Sequence, residues 1–551
     1  MRTAMLQRTA LYLGLLACIA AGCSGDEGLS NPAGSGTGGA GGAGGSTGGT
    51  GGSGAGADAG GDVDREPCQL AFSLGRLNGK QVESTCEFLG IPYAKPPVGA
   101  LRFAPPVAAG GWQEARDATA FGSSCMQRGS VIGGGATPSE DCLSLNVYTP
   151  AAVPSAKLPV MVFIHGGGYT LGSSNAYDGR LLSEKGPVVV VTINYRLGVF
   201  GFFAHPALDA ERADAPSGSD GIRDQQLALR WVKDNIAAFQ GDPDNVTVFG
   251  ESAGSASVSL HLVSPGSRDL ASRFILESGA SVGTGFGIAT RDAGYALSTQ
   301  MASELCSGAS DVLACLRAKP AQELVDWTGG ANGLFGAPFM PVVEGRTGGV
   351  LPDTPQNLIT RNEYNRAARI IAGTNKNEWG LFTQPLLGGM PITTQAQYKA
   401  SLAQQFGARA SEVEAQYPVT TDAEANDVNI RLVTDMVFRC PTRLLARLTT
   451  ANGTKLYLYS YEEGLAYHGD ELAYVFGTSS FGGTPPLPDL VAATQAYWTR
   501  FATTGDPNAS SLPPWPAYDS TTDQHLVLKN PPSTGSGLSK NDCDFWDRFA
   551  P

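Results

Sequence analysis

Three short runs of apolar, largely β-branched residues, each followed by a glycine, constrain the fold more than any other feature of this chain. They are LPVMVFIHGGG from Leu158, PVVVVTINYRLG from Pro187 and NVTVFGESAG from Asn245. Such continuous apolar runs are typical of strands buried on both faces of a parallel sheet. Between the second and third runs, DGIRDQQLALRWVKDNIAAF carries a broad apolar face at helical spacing. Strand, helix and strand in alternation predict a doubly wound α/β sheet, which binds ligands at the carboxyl ends of its strands.

Low-complexity sequence is confined to the N-terminal part of the 551-residue chain. Residues 31–62 are nearly all Gly, Ala, Ser and Thr, so they have no apolar area to bury and are expected to stay disordered. The segment would act as a tether with a mean reach of roughly 30 Å, or it is a passive tail left by repeat expansion. No second linker or repeat follows, so residues 65–551 are predicted to form one domain.

The first 22 residues have the pattern of a signal peptide. Arg2 and Arg8 precede an apolar run that is too short to span a bilayer as a helix. Ala20-Ala21-Gly22-Cys23 resembles the lipobox of bacterial lipoproteins, in which the cysteine is acylated. We therefore expect residues 23–64 to be an acylated Cys23 with its tether, anchored to the bacterial cell envelope at the outer membrane or cell surface. The alternative is an ordinary secretory signal that happens to contain a cysteine, and a secreted protein.

Cysteine usage and net charge narrow the function further. Of the ten cysteines, Cys18 would leave with the signal and Cys23 would carry lipid, so eight remain. An even number in an exported chain favours disulfides over free thiols or metal ligands. A net charge of −13 disfavours a nucleic-acid surface, because binding there requires lysine and arginine to neutralise phosphates. No metal or cofactor is predicted.

Ser252 lies in Gly250-Glu-Ser-Ala-Gly254, directly after the third apolar run. In the Gly-x-Ser-x-Gly elbow the chain turns sharply from strand to helix, and the glycines let the backbone pass closely while the hydroxyl is exposed. The pattern alone also fits a glycine-flanked serine in a loop. The preceding strand makes Ser252 a candidate nucleophile.

A second motif, His165-Gly166-Gly167-Gly168, follows the first apolar run as the HGGG motif does in lipases and esterases. Its glycines let N–H groups turn inward to stabilise a negatively charged oxygen. We assign these oxyanion-hole donors to Gly167, Gly168 and Ala253, and we expect His165 to be structural.

Four long motifs in order resemble the type-B carboxylesterase family, which includes cholinesterases and bacterial broad-range esterases. The resemblance extends from Cys68 to Pro551 and implies an α/β-hydrolase fold with a large, mostly parallel sheet flanked by helices. The motifs are FLGIPYAKPPVG at 88–99 with LRF at 101–103, EDCLSLNVY at 140–148, NYRLG at 194–198 and GESAG at 250–254.

The resemblance also supplies two residues that no local spacing rule would identify. Asn375-Lys-Asn-Glu378 is similar to the segment that carries the family's catalytic glutamate, and His468-Gly-Asp-Glu-Leu472 is similar to the segment with its histidine. The order Ser252, Glu378, His468 is that expected of the fold. Trp379 stands where the family usually has glycine, and it either narrows the pocket or packs against it.

Of the three remaining histidines, His205 and His525 have unremarkable sequence contexts, and His261, on the helix expected after the nucleophile, is expected to have a core or surface role. Glu251 adjoins the serine and could be mistaken for the acid. A carboxylate in that position is not expected to reach the far side of the imidazole, so we treat it as a neighbour of the triad.

The resemblance implies three disulfides, which are Cys125–Cys142, Cys306–Cys315 and Cys440–Cys543. Cys68 and Cys86 are left over and flank a predicted hairpin around residues 77–79, so a fourth bridge is plausible. Arg102 with Glu140, and Arg196 with Asp224, resemble structural ion pairs of the family, although solvated surface charge is the alternative.

The function implied is hydrolysis of uncharged carboxylic esters through an acyl-serine intermediate, by a monomer. The alternative is a catalytically silent adhesion or binding module, but such relatives typically lose a triad member and this chain keeps all three. Preference for choline esters is not expected, because residues 126–141 lack the tryptophan that would hold a quaternary ammonium. Lipase or polyester cleavage stays open.

Overall fold

The computed structural model describes residues 68–128, 137–152, 154–212, 214–328, 339–346, 349–385, 389–479 and 485–549. The predicted signal peptide, Cys23 and the tether lie outside the described residues.

The strands of the described residues are short in most cases, and those of the central sheet are almost fully buried. In chain order they are β1 Gln69–Phe72, β2 Gly75–Asn78, β3 Lys80–Val82, β4 Thr85–Pro92, β5 Arg116–Asp117, β6 Ser124–Cys125, β7 Pro138–Ser139, β8 Ser144–Pro150, β9 Leu158–Ile164, β10 Val189–Ile193, β11 Gly241–Glu251, β12 Arg273–Glu277, β13 Ala289–Thr290, β14 Val342–Val343, β15 Arg369–Asn375, β16 Lys455–Tyr461, β17 His525–Leu528 and β18 Ser533–Gly535.

The α-helices of the same residues contribute to the two hydrophobic clusters that flank the sheet and to a third cluster that contains no strand of it. They are α1 Arg180–Lys185, α2 Gly198–Phe202, α3 Pro206–Glu211, α4 Asp220–Asn235, α5 Ala253–Val263, α6 Arg291–Leu305, α7 Val312–Ala318, α8 Ala321–Thr328, α9 Pro355–Thr360, α10 Gln395–Phe406, α11 Ala410–Gln416, α12 Ala425–Thr434, α13 Cys440–Ala451, α14 Leu472–Phe476, α15 Pro488–Thr504 and α16 Lys540–Phe549.

The central sheet has eleven strands in the order β18-β17-β16-β15-β12-β11-β9-β10-β8-β4-β3. Neighbours from β10 across to β17 pair in parallel, whereas β18 at one edge and β8, β4 and β3 at the other are antiparallel. The three apolar runs form β9, β10 and β11, and the predicted helix is α4 with a 3-10 turn at Ile236–Phe239. The predicted α/β-hydrolase architecture is therefore confirmed.

Alternate side chains of each buried strand enter different cores. Val160, Val162 and Ile164 of β9 pack in a large cluster on one face, whereas Met161 and Phe163 pack in a second cluster on the other. Burial on both faces explains why the strand sequence is continuously apolar instead of alternating. A third cluster, centred on Tyr398, Tyr417 and Trp546, is formed by helices beyond the sheet.

All four predicted disulfides are present: Cys68–Cys86, Cys125–Cys142, Cys306–Cys315 and Cys440–Cys543. The predicted hairpin around residues 77–79 is wrong in position. The chain instead reverses between β1 and β2 and again between β3 and β4, and residue 79 joins the two hairpins. The Asn-Gly pair at 78–79 suggested a turn, but Asn78 belongs to β2, which β1 and β5 pair on either side.

Both predicted ion pairs form, and neither is solvated surface charge. A guanidinium nitrogen of Arg102 lies 2.5 Å from Oε2 of Glu140, and one of Arg196 lies 2.7 Å from Oδ1 of Asp224. The side chains of Arg196 and Asp224 are 3% and 0% exposed.

Within the part of the chain that is described, no helix combines the length and apolar character needed to cross a membrane.

Candidate active site

Four strands of the parallel sheet, β9, β11, β15 and β16, end at the same edge, and each is followed by a candidate functional residue. The chain passes from β9 into the glycines at 166–168 and from β11 into Ser252. The ends of β15 and β16 lead to Glu378 and His468. Parallel strands carry their carboxyl ends to one edge, so residues far apart in sequence meet there.

Ser252 is the single residue between β11 and α5, and its backbone is strained. Its φ and ψ are 56° and −123°, a region that non-glycine residues rarely adopt. The turn is tight enough that a Cβ on Gly254 would lie 1.9 Å from the carbonyl oxygen of Ile164, and one on Gly250 would lie 2.6 Å from it. Only glycine fits at these positions, which explains the motif around the predicted nucleophile.

His468 and Glu378 are joined by a short hydrogen bond. His468 Nδ1 lies 2.6 Å from Oε2 of Glu378, whose side chain is fully buried. The backbone N–H of Asn375 donates to Oε1 of the same carboxylate at 2.7 Å. A carboxylate that accepts the Nδ1–H bond fixes the tautomer and leaves Nε2 as the proton acceptor. Sequence reasoning predicted this pairing, and the structure brings the two side chains together.

Nε2 of His468 faces the other carboxylate next to the serine. It lies 3.1 Å from Oε1 of Glu251, but the geometry is not that of a hydrogen bond. Among the described residues, Nε2 has no hydrogen-bond partner, and Ser252 does not bind it either. Glu251 thus contacts the near side of the ring and Glu378 the far side, as expected from its position in the chain.

Buried carboxylates set the electrostatics of the imidazole. Burial lowers the pKa of His468, but Glu251 and Glu378 outweigh it, so the pKa is raised above the ordinary value. Burial raises the pKa of Glu251, and burial with the charge of Glu251 raises that of Glu471 well above its ordinary value. Burial also raises the pKa of Glu277, to about 8. Burial thus favours the protonated forms of Glu251, Glu277 and Glu471 over their charged forms.

Glu277 and Glu471 are functional-site neighbours that sequence reasoning missed. Glu277 ends β12 and accepts a hydrogen bond of 2.6 Å from Nε1 of Trp498. Glu471 accepts hydrogen bonds from Ser278 Oγ and from Asn375 Nδ2. Glu471 lies in the segment His468–Leu472, which contains the predicted histidine. Glu277 ends β12, the strand that pairs with β11, and a carboxylate at the end of a buried strand is the signal that could have identified it.

The loop with the predicted oxyanion donors runs along the serine. A Cβ on Gly166 would be 2.9 Å from Cβ of Ser252. Gly167 and Gly168 have φ of 103° and 60°, which L side chains rarely adopt. No hydrogen bond of the described residues uses their N–H groups as donors. Ala253 is the first residue of α5, so its N–H has no acceptor within the helix.

His165 has the structural surroundings that were predicted for it. Its ring stacks on Tyr195, with centroids 4.5 Å apart, and its carbonyl accepts a hydrogen bond of 2.9 Å from the Tyr195 hydroxyl. Burial lowers the pKa of His165 to about 4, so the ring is neutral at physiological pH.

Aromatic rings cover the imidazole. The ring centroids of Phe438 and Phe382 lie 4.9 and 5.1 Å from that of His468, and Phe286 packs against Phe438 at 5.7 Å. Phe438 belongs to a π-helical turn at Asp435–Arg439, a local feature that is frequent at functional sites. Sequence reasoning did not find this wall, since a π turn has no simple sequence signal.

Trp379 packs against Phe382, one of the two rings that cover the imidazole. Its ring lies 4.7 Å from that of Phe382 and contacts the helical cluster around Tyr398. Its backbone N–H donates to Oγ1 of Thr434 at 3.2 Å. Of the two expectations for this residue, the structure shows packing. Among the residues described, no group of three or more His, Cys, Asp or Glu side chains is arranged to hold a metal.

A doubly wound sheet with an elbow serine, a carboxylate-bound histidine and a glycine loop at one edge defines an α/β-hydrolase. Residues 66–546 match the carboxylesterase family. The chain is 35% identical to carboxylesterase 1D of Rattus norvegicus over 86% of its own length and 92% of the relative. It is 33% identical to the liver carboxylesterase of Sus scrofa, over 87% and 93% of the two chains. The chain belongs to the carboxylesterase family and is a carboxylic ester hydrolase.

Proposed function

We propose that Ser252 is the nucleophile of this ester hydrolase, with His468 as its general base and Glu378 as the residue that orients the imidazole. The hydrogen bond of 2.6 Å between His468 Nδ1 and Glu378, beside a strained serine at the end of β11, carries the proposal. The N–H groups of Gly167, Gly168 and Ala253 would be the oxyanion donors. The hydrogen bond between the Ser252 hydroxyl and His468 Nε2 would form when substrate binds, because catalytic hydrogen bonds are often long or poorly aligned before that.

The reaction proceeds in two halves. Ser252 Oγ forms a bond to the ester carbonyl carbon, its proton passes to His468 Nε2, and the carbonyl oxygen becomes an oxyanion held by the backbone donors. The bond to the alcohol oxygen then breaks, and the imidazolium gives its proton to the leaving alcohol. Water repeats the attack on the acyl-serine with the same base, which releases the carboxylic acid and restores the hydroxyl.

Hydrolysis of p-nitrophenyl esters by the wild type, Ser252→Ala and the exposed control Ser84→Ala tests the assignment. We expect Ser252→Ala to lose turnover and stoichiometric labelling by a fluorophosphonate probe, and the control to keep both. Equal turnover by Ser252→Ala and the wild type would refute the nucleophile. Failure of the wild type to react with the probe would instead favour the silent binding module.

Uncharged, apolar esters are the proposed substrate class. The rings of Phe438, Phe382 and Phe286 supply an apolar wall beside the imidazole, and such surface is stabilised by contact with hydrophobic acyl or alcohol groups. A panel of neutral aryl and alkyl esters of graded acyl length, with choline esters of equal acyl length, checks this. A preference for the choline esters would contradict it.

We further propose that the protein is exported, acylated at Cys23 and monomeric. Four disulfides favour an oxidising compartment, and the N-terminal motif supports the lipid. The relatives named above are mammalian and do not bear on the anchor. Labelling of cells with an alkynyl fatty acid should mark the wild type but not Cys23→Ser, and light scattering of the protein released from its anchor should give the mass of one chain. Equal labelling, or twice that mass, would contradict these proposals.

A further inference from the structure

Gln127 is a buried amide that contacts the oxyanion loop from outside the triad. Gln127 is the second residue after Cys125 and is only 4% exposed. Nε2 donates to the carbonyl of Gly172 at 2.8 Å and to that of Cys125 at 3.0 Å. Oε1 accepts from the N–H of Gly172 at 3.0 Å. One side chain therefore satisfies both backbone groups of a single loop residue.

Gly172 closes the loop that begins at His165. Its φ is 111°, and a Cβ there would lie 2.5 Å from His165 Nδ1 and 2.6 Å from the carbonyl oxygen of Gly166. Between these ends, the N–H groups of Thr170 and Leu171 donate to the carbonyl of Gly167 at 3.0 and 3.1 Å. The loop is thus a closed turn, and moving Gly172 would move the residues that carry the oxyanion donors.

Anchors from two different segments hold this turn. On one side the Tyr195 hydroxyl donates to the carbonyl of His165 at 2.9 Å, and the N–H of Gly198 donates to that of Tyr169 at 2.6 Å. On the other side Gln127 binds Gly172. Oxyanion donors act only when they are fixed close to the developing charge, and a displacement of about 1 Å can cost about 100-fold in rate.

We propose that Gln127 is a positioning residue for ester hydrolysis, which holds the oxyanion loop in register with Ser252 through its paired hydrogen bonds to Gly172. The inference rests on the proposed function. It adds to that function a side chain that contacts neither the substrate nor the triad. The bonds formed by Gln127 fix the direction of the Gly167 and Gly168 N–H groups. They therefore act on the transition state more than on the bound ester.

Gln127→Met is the first variant, because it keeps the length and packing of the side chain and removes the hydrogen bonds. We expect kcat/KM for a neutral ester to fall about 10- to 100-fold, with KM changed less than about 3-fold. The affinity of a trifluoromethyl ketone, whose adduct places an oxyanion in the same loop, should fall by a similar factor. Gln405→Met, at a half-buried glutamine that bonds Ser401 on α10, is the matched control and should change neither.

Gln127→Glu adds a readout that loss of structure alone does not produce. The protonated acid still has one donor and one acceptor for Gly172, whereas the carboxylate repels the carbonyls of Gly172 and Cys125. We therefore compare kcat/KM of Gln127→Glu with kcat/KM of Gln127→Met as a ratio. This ratio should be high at low pH and should fall as the introduced acid ionises. The titration of His468 affects both variants and cancels in the ratio.

Wild-type kcat/KM and inhibitor affinity in Gln127→Met would overturn the proposal, as would a loss that lies in KM alone. If Gln127→Met does not fold, as judged by its thermal midpoint, a Gln127→Glu to wild-type ratio independent of pH would overturn it. An inactive and unlabelled wild type would instead refute the proposed function, so the two failures are distinguishable.

Discussion

Replacing Glu251 with glutamine should make the enzyme active at lower pH. His468 acts as a base only when neutral, so kcat/KM falls as the pH drops through the pKa of its imidazole in the free enzyme. Glu251 raises that pKa because its Oε1 lies 3.1 Å from Nε2. Removing the carboxylate removes this stabilisation of the imidazolium, so the acidic limb of the profile moves to lower pH.

The distance sets an upper limit to the effect. Two unit charges 3.1 Å apart at an effective dielectric constant of about 20 attract by about 5 kcal/mol, or about 4 pH units. The change in the profile is smaller, because burial raises the pKa of Glu251 and part of the population carries no charge there. We expect the limb to move by about one pH unit, at the lower end of the usual effect of a neighbouring charge.

The assay is kcat/KM for a neutral ester between pH 4 and pH 9, for the wild type, Glu251→Gln and Glu114→Gln. The last variant removes an exposed carboxylate and controls for the change in net charge. A limb that stays in place in Glu251→Gln, or moves to higher pH, would show that this carboxylate does not control the imidazole.

Three further predictions follow from single contacts. Glu378→Gln should lower kcat by about 100- to 10,000-fold with little change in KM, because the amide no longer favours the required tautomer; a loss below 10-fold would contradict the role of the 2.6 Å bond. The double variant Cys440→Ser, Cys543→Ser opens a loop with a sequence separation of 103 and should lower the free energy of unfolding by about 4–5 kcal/mol on the chain-entropy model, measured with urea; an unchanged midpoint would refute it. Asp224→Asn leaves the buried Arg196 charge unpaired and should cost about 3–5 kcal/mol by the same measurement, whereas Asp244→Asn, in the exposed pair with Lys233, should leave the midpoint unchanged; similar effects of the two variants would contradict the argument from burial.

The proposed roles of Glu251 and Gln127 differ in kind. Glu251 acts through its charge, so Glu251→Gln moves the pH profile, whereas Gln127 acts through neutral hydrogen bonds, so Gln127→Met lowers the rate at all pH values. Measuring both variants with one substrate separates electrostatic control of the base from control of the oxyanion loop.

Local sequence determined much of the framework. The apolar runs at β9, β10 and β11 identified buried parallel strands, because burial on both faces favours a nearly continuous apolar pattern over an alternating one. The glycines around Ser252 predicted a sharp turn, since neighbouring backbone leaves no room for a Cβ. The pairing of His468 with Glu378, which the structure shows, was expected from the resemblance to a family and not from any local rule.

Only the tertiary structure decided which distant groups meet at the carboxyl edge of the sheet. Glu277 and Glu471 join the buried carboxylates of the site. Phe438 covers the imidazole from a π-helical turn, and Gln127, two residues after the disulfide-bonded Cys125, forms hydrogen bonds to the oxyanion loop. Propensity and periodicity act over a few neighbouring residues, whereas these contacts join residues tens to hundreds of positions apart. Their energies depend on burial and distance, which exist only once the sheet has formed.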